Sequence, residues 1–478
     1  MRKNYLLLWI LCLCTFGVSA QSLEQARALF KSNKFSEALP TFKKYVKNNP
    51  RNASYNHWYG VCLYETGNKE EAEKYLLVGA EKEVQESFRY LGELYFDTYR
   101  FDESVENYET YVAMLEKKKM STDKYLKTLE IAKLAARMIK GVEQVTIVDS
   151  FVVNKDEFLD AYKISEESGK LFGYHQYFEE EEGNNQGTVY QTELANKIYY
   201  SKKGKGSKLN LYSKTKQIDD WGKETPLAGS VNASGDVNYP YILSDGVTLY
   251  YASNGEGSIG GYDIFVTRYD TETDSYLVPD NVGMPFNSVY NDYLYVVDEY
   301  NNLGWFASDR YQPKDKVCVY AFIPNASKQT FNFEGTDNHI ICRAAKIQSI
   351  KETWKNMAEV KAAKQRLTMA IYHKPEEKQI HDFEFVVDDN TLYHSLSDFA
   401  SPEAQKQFKQ YQQKEKDCSK LTIQLNELRN QYAKNNKAAK TSMTAGILDL
   451  EKRVEEMEQE LKLMQVNIRN EEKNFISK

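Results

Sequence analysis

The feature of this sequence that most constrains its fold is an arrangement of small and aromatic residues that recurs three times near the N-terminus. Gly60 follows Ala26 by 34 residues, and Gly92 follows Gly60 by 32. A period of this length predicts stacked helix-turn-helix units, and the shorter second interval predicts a shortened second helix in the middle unit. The three copies contain Ala26, Phe35, Ala38 and Phe42; Gly60, Gly67, Ala72 and Leu76; and Leu91, Gly92, Phe101, Ser104 and Tyr108.

This pattern resembles the tetratricopeptide (TPR) repeat, in which small residues let paired helices approach and aromatic residues fill the seam between repeats. Three repeats are about the minimum for a stable stack. A capping helix is expected from about Ser121 to Lys140, with apolar residues at Leu126, Leu129, Ala132, Leu134 and Met138. The resemblance covers residues 22–140 and implies a concave groove that binds peptides or proteins.

The resemblance also implies which side chains face that groove. They form a mixed basic and aromatic set suited to holding a partner segment: Arg27, Phe30, His57, Tyr64, Arg89 and Phe96. The alternative for each residue is ordinary solvated helix surface, because few residues of an interface carry most of its binding energy.

From Val142 onward the hydrophobic pattern alternates, which predicts strands. A strand motif recurs around Tyr200, Tyr251 and Phe306, at intervals of 51 and 55 residues, and a second strand follows each copy. Repeats of this length made of several short strands are typical of propeller blades. The 36 tyrosines of the chain also suit half-buried sheet surfaces.

Two segments, 243–251 and 253–265, closely resemble the blade core of PD40, or TolB-like, propellers. In the first, an Asp-Gly turn joins two strands, because the turn needs a residue that tolerates positive φ. The glycines of the second open no helix, which argues against a phosphate-binding loop. We therefore expect a β-propeller-like domain over residues 142–335. The residues expected to build its blade cores are Asp245, Gly246, Tyr250, Gly260, Gly261, Tyr262, Asp263 and Trp305.

The number of blades stays open at this point. Three repeats are clear and one around 162–174 is weak, whereas a closed propeller needs at least four blades. A later strand pair, 383–387 and 391–394, lies in the region 340–400, which also holds a helix. This pair would either complete the ring or lie apart from it.

The remaining C-terminal sequence predicts helices. An amphipathic helix marked by Ile347, Ile350, Trp354 and Met357 must end near Pro375. Two heptad tracts, 411–432 and 447–468, then predict a coiled coil over 402–478 that starts at Ser401-Pro402. The polar stretch 435–446 between them favours an antiparallel hairpin, and the alternative is a dimeric rod interrupted by a stutter.

The first 20 residues have the pattern of a secretory signal peptide. Arg2 and Lys3 precede an apolar run, and Val18-Ser19-Ala20 is a small-residue cleavage site. A lipoprotein signal with lipidation at Cys14 is the alternative, but Leu11-Cys12-Leu13 lacks the small residues expected there. Cleavage would place the chain in the periplasm, where association with the outer membrane is possible.

Charge and motif content limit the classes of function. Removing Arg2 and Lys3 leaves 60 basic and 69 acidic residues, so the mature chain is acidic and a poor nucleic-acid binder. Cys62, Cys318, Cys342 and Cys418 survive cleavage with no metal-binding spacing, and a Cys318–Cys342 disulfide is permitted but not established. No catalytic or cofactor-binding motif is recognisable, so we expect no enzyme and no cofactor.

The order of these modules resembles periplasmic TPR–PD40 proteins of Bacteroidota, including the TPR, propeller and OmpA-like proteins associated with type IX secretion and gliding. The Gly260-Gly261-Tyr262-Asp263 motif is the most specific part of the match. This chain lacks the OmpA-like domain and has a predicted coiled coil instead, so cell-wall anchoring does not carry over. The resemblance implies a scaffold that contacts other envelope proteins and associates with itself through the coiled coil. The alternative is a sensing or carbohydrate-binding module with a ligand in the propeller mouth.

Overall fold

The computed structural model describes residues 21–179, 187–204, 207–217, 220–227, 230–372, 383, 385–388, 391–434 and 437–476. The predicted signal peptide and Cys14 lie outside these residues. Contacts divide the chain into two compact units. The first extends to Leu367, and the second begins at Thr368 and also takes the short segments 195–197 and 214–224.

Seven helices form the N-terminal part of the first unit, and they pair in the order of the predicted repeats. Ser22 and Gln25 form a reciprocal capping box at the first helix, and the Asn52 side chain caps the third. The helices are α1 (Leu23–Lys31), α2 (Phe35–Asn48), α3 (Ala53–Glu65), α4 (Lys69–Glu81), α5 (Gln85–Asp97), α6 (Phe101–Lys117) and α7 (Asp123–Met138).

The turn inside each helix pair has the same left-handed backbone form. Its positive-φ residue is Asn33, Gly67 and Tyr99 in successive repeats, with φ of 58°, 87° and 66°. In each turn the following N–H group donates to a carbonyl five residues earlier, which ends the first helix. These bonds are Lys34 to Leu29, Asn68 to Leu63 and Arg100 to Tyr95.

Close packing explains the small residues of the repeat. A Cβ atom on Gly60 would lie 2.9 Å from Cγ of Leu76, and one on Gly92 would lie 3.0 Å from the Tyr108 ring. The Ser104 hydroxyl donates to the Gly92 carbonyl at 2.7 Å. In the second and third repeats, the second helix therefore packs directly on the backbone of the first.

The interval from Gly60 to Gly92 is two residues shorter than the first interval for two reasons, whereas the sequence predicted only a shorter helix. Helix α4 has 13 residues against 14 in α2. The connection 82–84 is also one residue shorter than the connection 49–52.

Helix α7 lies against the third repeat. Leu129 and Ala132 are buried with Tyr108, and the Tyr125 ring meets the Tyr111 ring edge-on at 4.8 Å. Leu126 is the exception to the predicted apolar face, since it is 41% exposed.

Three antiparallel sheets follow in the first unit. The strands are β1 (Thr146–Asn154), β2 (Lys170–Gly173), β3 (Thr188–Gln191), β4 (Lys197–Lys203), β5 (Leu209–Thr215), β6 (Thr225–Pro226), β7 (Val237–Ile242), β8 (Thr248–Ser253), β9 (Asp263–Asp270), β10 (Ser275–Tyr276), β11 (Asp280–Asn281), β12 (Asp292–Asp298), β13 (Leu303–Ser308) and β14 (Lys316–Ile323). A short α-helix within this region is α8 (Tyr174–Phe178). The sheet orders are β2-β3-β4-β5-β6, β10-β9-β8-β7 with β11 also on β9, and β1-β14-β13-β12.

The first strand belongs to the last sheet. β1 pairs antiparallel with β14, so that Val152 lies opposite Cys318 and Thr146 opposite Ile323. The weak repeat around 162–174 contributes β2 as the edge strand of the first sheet and does not form a separate sheet of its own among the described residues. A hydrophobic core then joins the three sheets, with Leu211, Leu249 and Trp305 among its fully buried or nearly buried members.

The edge strands β7 and β12 of the second and third sheets share an irregularity. β7 and β12 each contain a bulge, and the bulged segments hold Tyr239 at φ 59° and Leu294 at φ 29°. These two residues are 55 residues apart, which equals the interval between Tyr251 and Phe306 in the strand motif. The repeated bulge indicates that the two sheets are copies of one unit.

The single amphipathic helix predicted from Ile347 onward is wrong. Helix α9 (Asn338–Lys346) ends because Ile347 adopts a left-handed conformation at φ 50°, and helix α10 (Met357–Tyr372) starts only later. The apolar side chains between them pack on the sheet instead, and the Trp354 indole N–H donates to the Ile147 carbonyl at 2.7 Å.

The second unit contains β15 (Phe385–Asp388), β16 (Thr391–Tyr393), α11 (Pro402–Lys434) and α12 (Lys437–Ile476). Over the described residues, the two strands pair with each other in a two-stranded sheet. They pack on the helices, because Phe385, Phe408 and Ile468 share one buried cluster.

Helices α11 and α12 run antiparallel. Early residues of α11 meet late residues of α12: the Gln465 amide donates to the Tyr411 hydroxyl at 2.7 Å, and Arg429 pairs with Glu451 at 2.7 Å. This is the geometry of the hairpin alternative. The polar stretch 435–446 is mostly helical, because α12 already starts at Lys437 and runs through Gly446. Lys and Ala at its start are good helix formers, which outweighs the loss of heptad phase.

Candidate functional site

A row of aromatic rings crosses the first helices of the three repeats. The Phe30 ring lies 6.3 Å from His57, His57 lies 6.2 Å from Tyr90, and Tyr90 lies 5.7 Å from Tyr64, all edge-on. Helices α3 and α5 contact each other directly, which makes the row continuous. Three of the predicted groove residues, Phe30, His57 and Tyr64, are thus brought together.

His57 is a packing residue in this row. Only 7% of it is exposed, and its Nδ1 atom lies 2.9 Å from Oγ of Ser87 on the next repeat. Burial lowers the pKa of His57 to about 4, so the ring is neutral at neutral pH. The expectation that it faces an open groove is therefore corrected: His57 supports its neighbours and offers little surface to a partner.

Arg89 is held between two carboxylates on α5, each one helical turn away from it. Its guanidinium lies 2.7 Å from Glu86 and 2.6 Å from Glu93, and 3.9 Å from the centre of the Tyr90 ring. Its side chain is 18% exposed. Burial opposes the charge, but Glu93 and Glu86 outweigh burial and raise the pKa of Arg89. The arginine is fixed in place and presents one edge to solvent.

Tyr64 connects the second and third repeats. Its hydroxyl donates to the Asp97 carboxylate at 2.7 Å, and the Lys69 ammonium lies 2.7 Å from the same carboxylate. Lys69 also lies 5.5 Å from the centre of the Tyr64 ring. The Tyr64 hydroxyl, the Asp97 carboxylate and the Lys69 ammonium thus form a polar cluster beside the ring row.

The prediction of a mixed basic and aromatic surface needs correction in its charge. Carboxylates outnumber cations around the ring row, and Glu65 accepts a hydrogen bond from Tyr90 at 3.2 Å. Burial raises the pKa of Glu93, as do Glu65 and Asp97 nearby, while Arg89 lowers it. The acidic residues are Glu65, Glu86, Glu93 and Asp97, and the cations are Lys69 and Arg89.

The two remaining predicted residues lie at the ends of the repeats. Arg27 is exposed and its guanidinium lies 5.0 Å from the Trp58 ring. Phe96 is half-buried against Phe101 at 5.3 Å and belongs to a core that includes the sheet region. Phe96 is thus a packing residue at the edge of the surface.

Sequence reasoning missed Tyr90 and the carboxylates around it. Tyr90 follows Arg89 directly, and Glu86 and Glu93 stand three and four residues from that arginine. Oppositely charged residues at this spacing on one helix commonly form ion pairs. The spacing could therefore have identified the ion pairs of Arg89 with both glutamates.

The predicted blade-core residues have structural roles in the turns and strands. The Asp245 carboxylate accepts the N–H groups of Val247 and Thr248 at 2.9 and 2.8 Å, and Gly246 has φ 69°. This is an Asp-stabilised turn in which the glycine conformation is required. Tyr250 packs on Tyr295 at 4.6 Å.

The Gly260-Gly261-Tyr262-Asp263 segment is equally structural. A Cβ atom on Gly260 would lie 2.2 Å from the Tyr290 carbonyl oxygen, so no other residue fits. The buried Asp263 carboxylate accepts N–H groups from Ile259 and Gly260. Burial and Asp292 raise the pKa of Asp263 to about 8, against these hydrogen bonds, which lower it.

The aromatic residues between the sheets fill space and pack on one another. Tyr262 and Tyr239 lie 6.0 Å apart, Tyr239 and Tyr293 5.3 Å, and the Lys155 ammonium donates to the Tyr293 hydroxyl at 2.6 Å. Trp305 is fully buried beside Tyr162, at 6.0 Å.

A cavity of about 690 Å³ lies elsewhere in the first unit, beside β1 and α9. Ile147, Phe331, Ile340 and Ile347 supply apolar walls. Its rim carries charges of both signs, including the Arg343–Glu352 pair. This volume is within the range of small-molecule sites.

Over the described ranges, no group of His, Cys, Asp and Glu side chains could hold a metal ion. Nor is any described helix long and apolar enough to cross a bilayer. Cys62, Cys318, Cys342 and Cys418 are free thiols, so the permitted Cys318–Cys342 disulfide is not formed in this structure.

A family model for the tetratricopeptide repeat matches residues 23–85. The match covers α1 to α4, and the N-terminal helices are therefore TPR repeats, which are commonly protein-binding and typically not catalytic. No curated protein matches the chain.

Proposed function

We propose that this chain is a non-enzymatic periplasmic scaffold or adaptor that mediates protein-protein contacts in an outer-membrane or secretion-related assembly. The observation that carries this proposal is the row of rings across α1, α3 and α5, together with the ion pairs of Arg89 on α5, in a TPR stack. Pre-ordered aromatic and arginine side chains bind partners with a small loss of conformational entropy.

The sheet region would offer a second binding surface. Its PD40 assignment rests on the sequence motifs, and the pairing of β1 with the last sheet supports a ring-like closure of the propeller kind. The periplasmic location rests on the sequence pattern of residues 1–20. The α11–α12 pair would serve self-association as a coiled coil.

Site-specific photo-crosslinking in intact cells tests the proposal. A photoreactive amino acid replaces Arg27 or Glu65, which lie on the side of the ring row. As the matched control, the same amino acid replaces Lys44 or Lys74 on the second helices of the repeats. All four side chains are exposed on helices, so the replacement does not disturb the core. The full chain is expressed in its native envelope and crosslinked proteins are identified by mass spectrometry.

We expect outer-membrane or secretion components at positions 27 and 65 and not at 44 and 74. The same proteins at all four positions would indicate non-specific proximity and contradict a binding face. Crosslinks only to cytoplasmic proteins would contradict the location.

The cavity beside β1 favours a second candidate, the binding of a small ligand or carbohydrate. A panel of monosaccharides, disaccharides and small amphipathic compounds is tested for an increase in melting temperature of the full chain. Ile340→Trp fills the cavity, and Met357→Trp enlarges an exposed apolar side chain outside its lining. Stabilisation that persists in Met357→Trp and vanishes in Ile340→Trp would support this candidate, and no stabilisation by any compound would contradict it.

A further inference from the structure

We propose that Tyr99 locks the repeat stack onto the sheet region, so that the ring row and the three sheets are held as one rigid body. This goes beyond the proposed function and holds whatever partner the chain binds. It concerns the first unit alone, which contains both regions.

The third repeat has an unusual residue, Tyr99, at the positive-φ position of the turn inside the helix pair. The left-handed turn contains Asn33 in the first repeat and Gly67 in the second, and both residues are exposed. The third repeat has Tyr99 there, at φ 66° and only 2% exposed. A bulky residue in this conformation costs conformational free energy, which persists only where the surroundings compensate for it.

The compensation comes from beyond the repeats. Tyr99 shares a buried cluster with Ile259 and Met284 of the sheet region and with Ile341 and Ala345 of α9. A Tyr in this turn thus joins three segments that are distant in sequence.

Polar contacts fix the side chain and backbone of the same residue. The Val289 N–H group donates to the Tyr99 hydroxyl at 3.5 Å, and the Cys342 thiol donates to the Tyr99 carbonyl at 3.5 Å. The Lys346 ammonium lies 5.2 Å from the centre of its ring. Two of these contacts come from α9, which therefore covers the turn.

The sheet side of the lock is built by the glycine motif. Asp263 accepts the N–H group of Ile259, which places that side chain in the cluster with Tyr99. Gly260 lets the loop lie against the carbonyls of Ser288 and Tyr290, next to Val289. The most specific sequence motif of the sheets thus forms the surface that receives the third repeat.

A buried ion pair lies close to this surface. Arg310 and Asp292 are fully buried and 2.8 Å apart, and Arg310 also donates to the Phe286 carbonyl. Burial raises the pKa of Tyr99, and the Arg310 charge nearby opposes that shift. The sheet side of the junction is therefore itself fixed by buried polar contacts.

Hydrogen exchange of the full chain tests the lock. Tyr99→Gly removes the side chain and suits the left-handed backbone, and Asn33→Gly makes the matched change in the first repeat. We expect amide exchange in 282–291 and 338–346 to rise at least tenfold in Tyr99→Gly and to stay unchanged in Asn33→Gly. Tyr99→Phe keeps the ring and should retain most of the protection. Unchanged exchange of both segments in Tyr99→Gly would overturn the proposal.

A distance measurement decides the matter if Tyr99→Gly fails to fold. Spin labels are attached through a noncanonical amino acid at Lys44 on α2 and Arg268 on β9, both exposed, in the otherwise unaltered chain. A single narrow distance distribution is expected. A broad or multiple distribution would show that the repeats move relative to the sheets and would overturn the lock.

Discussion

The Nδ1 atom of His57 lies 2.9 Å from the Oγ atom of Ser87, in the buried seam between the second and third repeats. Gly79 completes the seam, since a Cβ atom there would lie 2.3 Å from the same Ser87 oxygen. A titratable ring is therefore enclosed where two repeats meet, and its charge state is coupled to the stability of the stack.

We expect acid to destabilise the repeats through His57. Its pKa is lowered to about 4 in the folded chain and is about 6.5 when unfolded, so the unfolded state binds the proton first. The contribution of His57 to the free energy of unfolding is fully present above pH 6.5. About 3 kcal/mol of it is lost as the pH falls toward 4. Urea unfolding at pH 7 and pH 5 measures the loss. His57→Gln should weaken this dependence, and an equal slope in the variant would contradict the assignment.

The contribution of Asp263 to stability has the opposite pH dependence, and it changes in a different pH range. Its folded pKa is raised to about 8 against about 4 when unfolded, so its contribution favours folding less as the pH rises. Between pH 7 and pH 8, where His57 is mostly neutral in both states, the free energy of unfolding should fall by about 1 kcal/mol. Asp263→Asn should flatten the profile in this range. Asn can keep the acceptor oxygen for the Ile259 N–H group and the Asn281 amide, and it loses only the longer bond of 3.3 Å from the Gly260 N–H group.

Much of the helical stack could be predicted because its signals are local. The spacing of Ala26, Gly60 and Gly92 reports contacts between neighbouring helices, and the structure places close packing at both glycines. The family match over 23–85 agrees with the repeats. The burial of His57 was not predictable in this way, because it depends on Ser87 from another repeat.

The arrangement of the sheets was less predictable because it depends on long-range pairing. The strand motif indicated the strands around Tyr251 and Phe306, but nothing near Thr146 shows that β1 pairs with β14. The end of α9 at Ile347 was missed for a related reason: a β-branched residue at φ 50° is accepted only because the following segment packs on β1.

The charge of the ring row was mispredicted because the six selected residues included no carboxylate. Arg27 and Arg89 suggested a basic surface, whereas Glu86 and Glu93 enclose the second of them. Counting the residues three and four positions away would have revealed the pairing.

We expect Gly60→Ala to destabilise the repeats. The new methyl would lie 2.9 Å from Cγ of Leu76 and 3.1 Å from its backbone nitrogen, and backbone cannot move aside cheaply. Overpacking of this kind costs about 1–3 kcal/mol. Gly446→Ala in α12 is the matched control, because nothing lies within 4 Å of the added atom and alanine favours a helix. Thermal unfolding followed by circular dichroism should show a lower melting temperature for the first variant only, and equal effects would contradict the packing.

Truncation of Leu425 should destabilise the pair α11–α12. Leu425 is 4% exposed and packs with Ile447, Leu450 and Val454. Its loss leaves a cavity and should cost about 2–4 kcal/mol of unfolding free energy. Leu448→Ala is the matched control, since Leu448 is 59% exposed and its truncation should change stability by less than about 0.5 kcal/mol. Urea unfolding of both variants measures the difference. Equal losses of unfolding free energy in Leu425→Ala and Leu448→Ala would contradict the burial of Leu425 between the two helices.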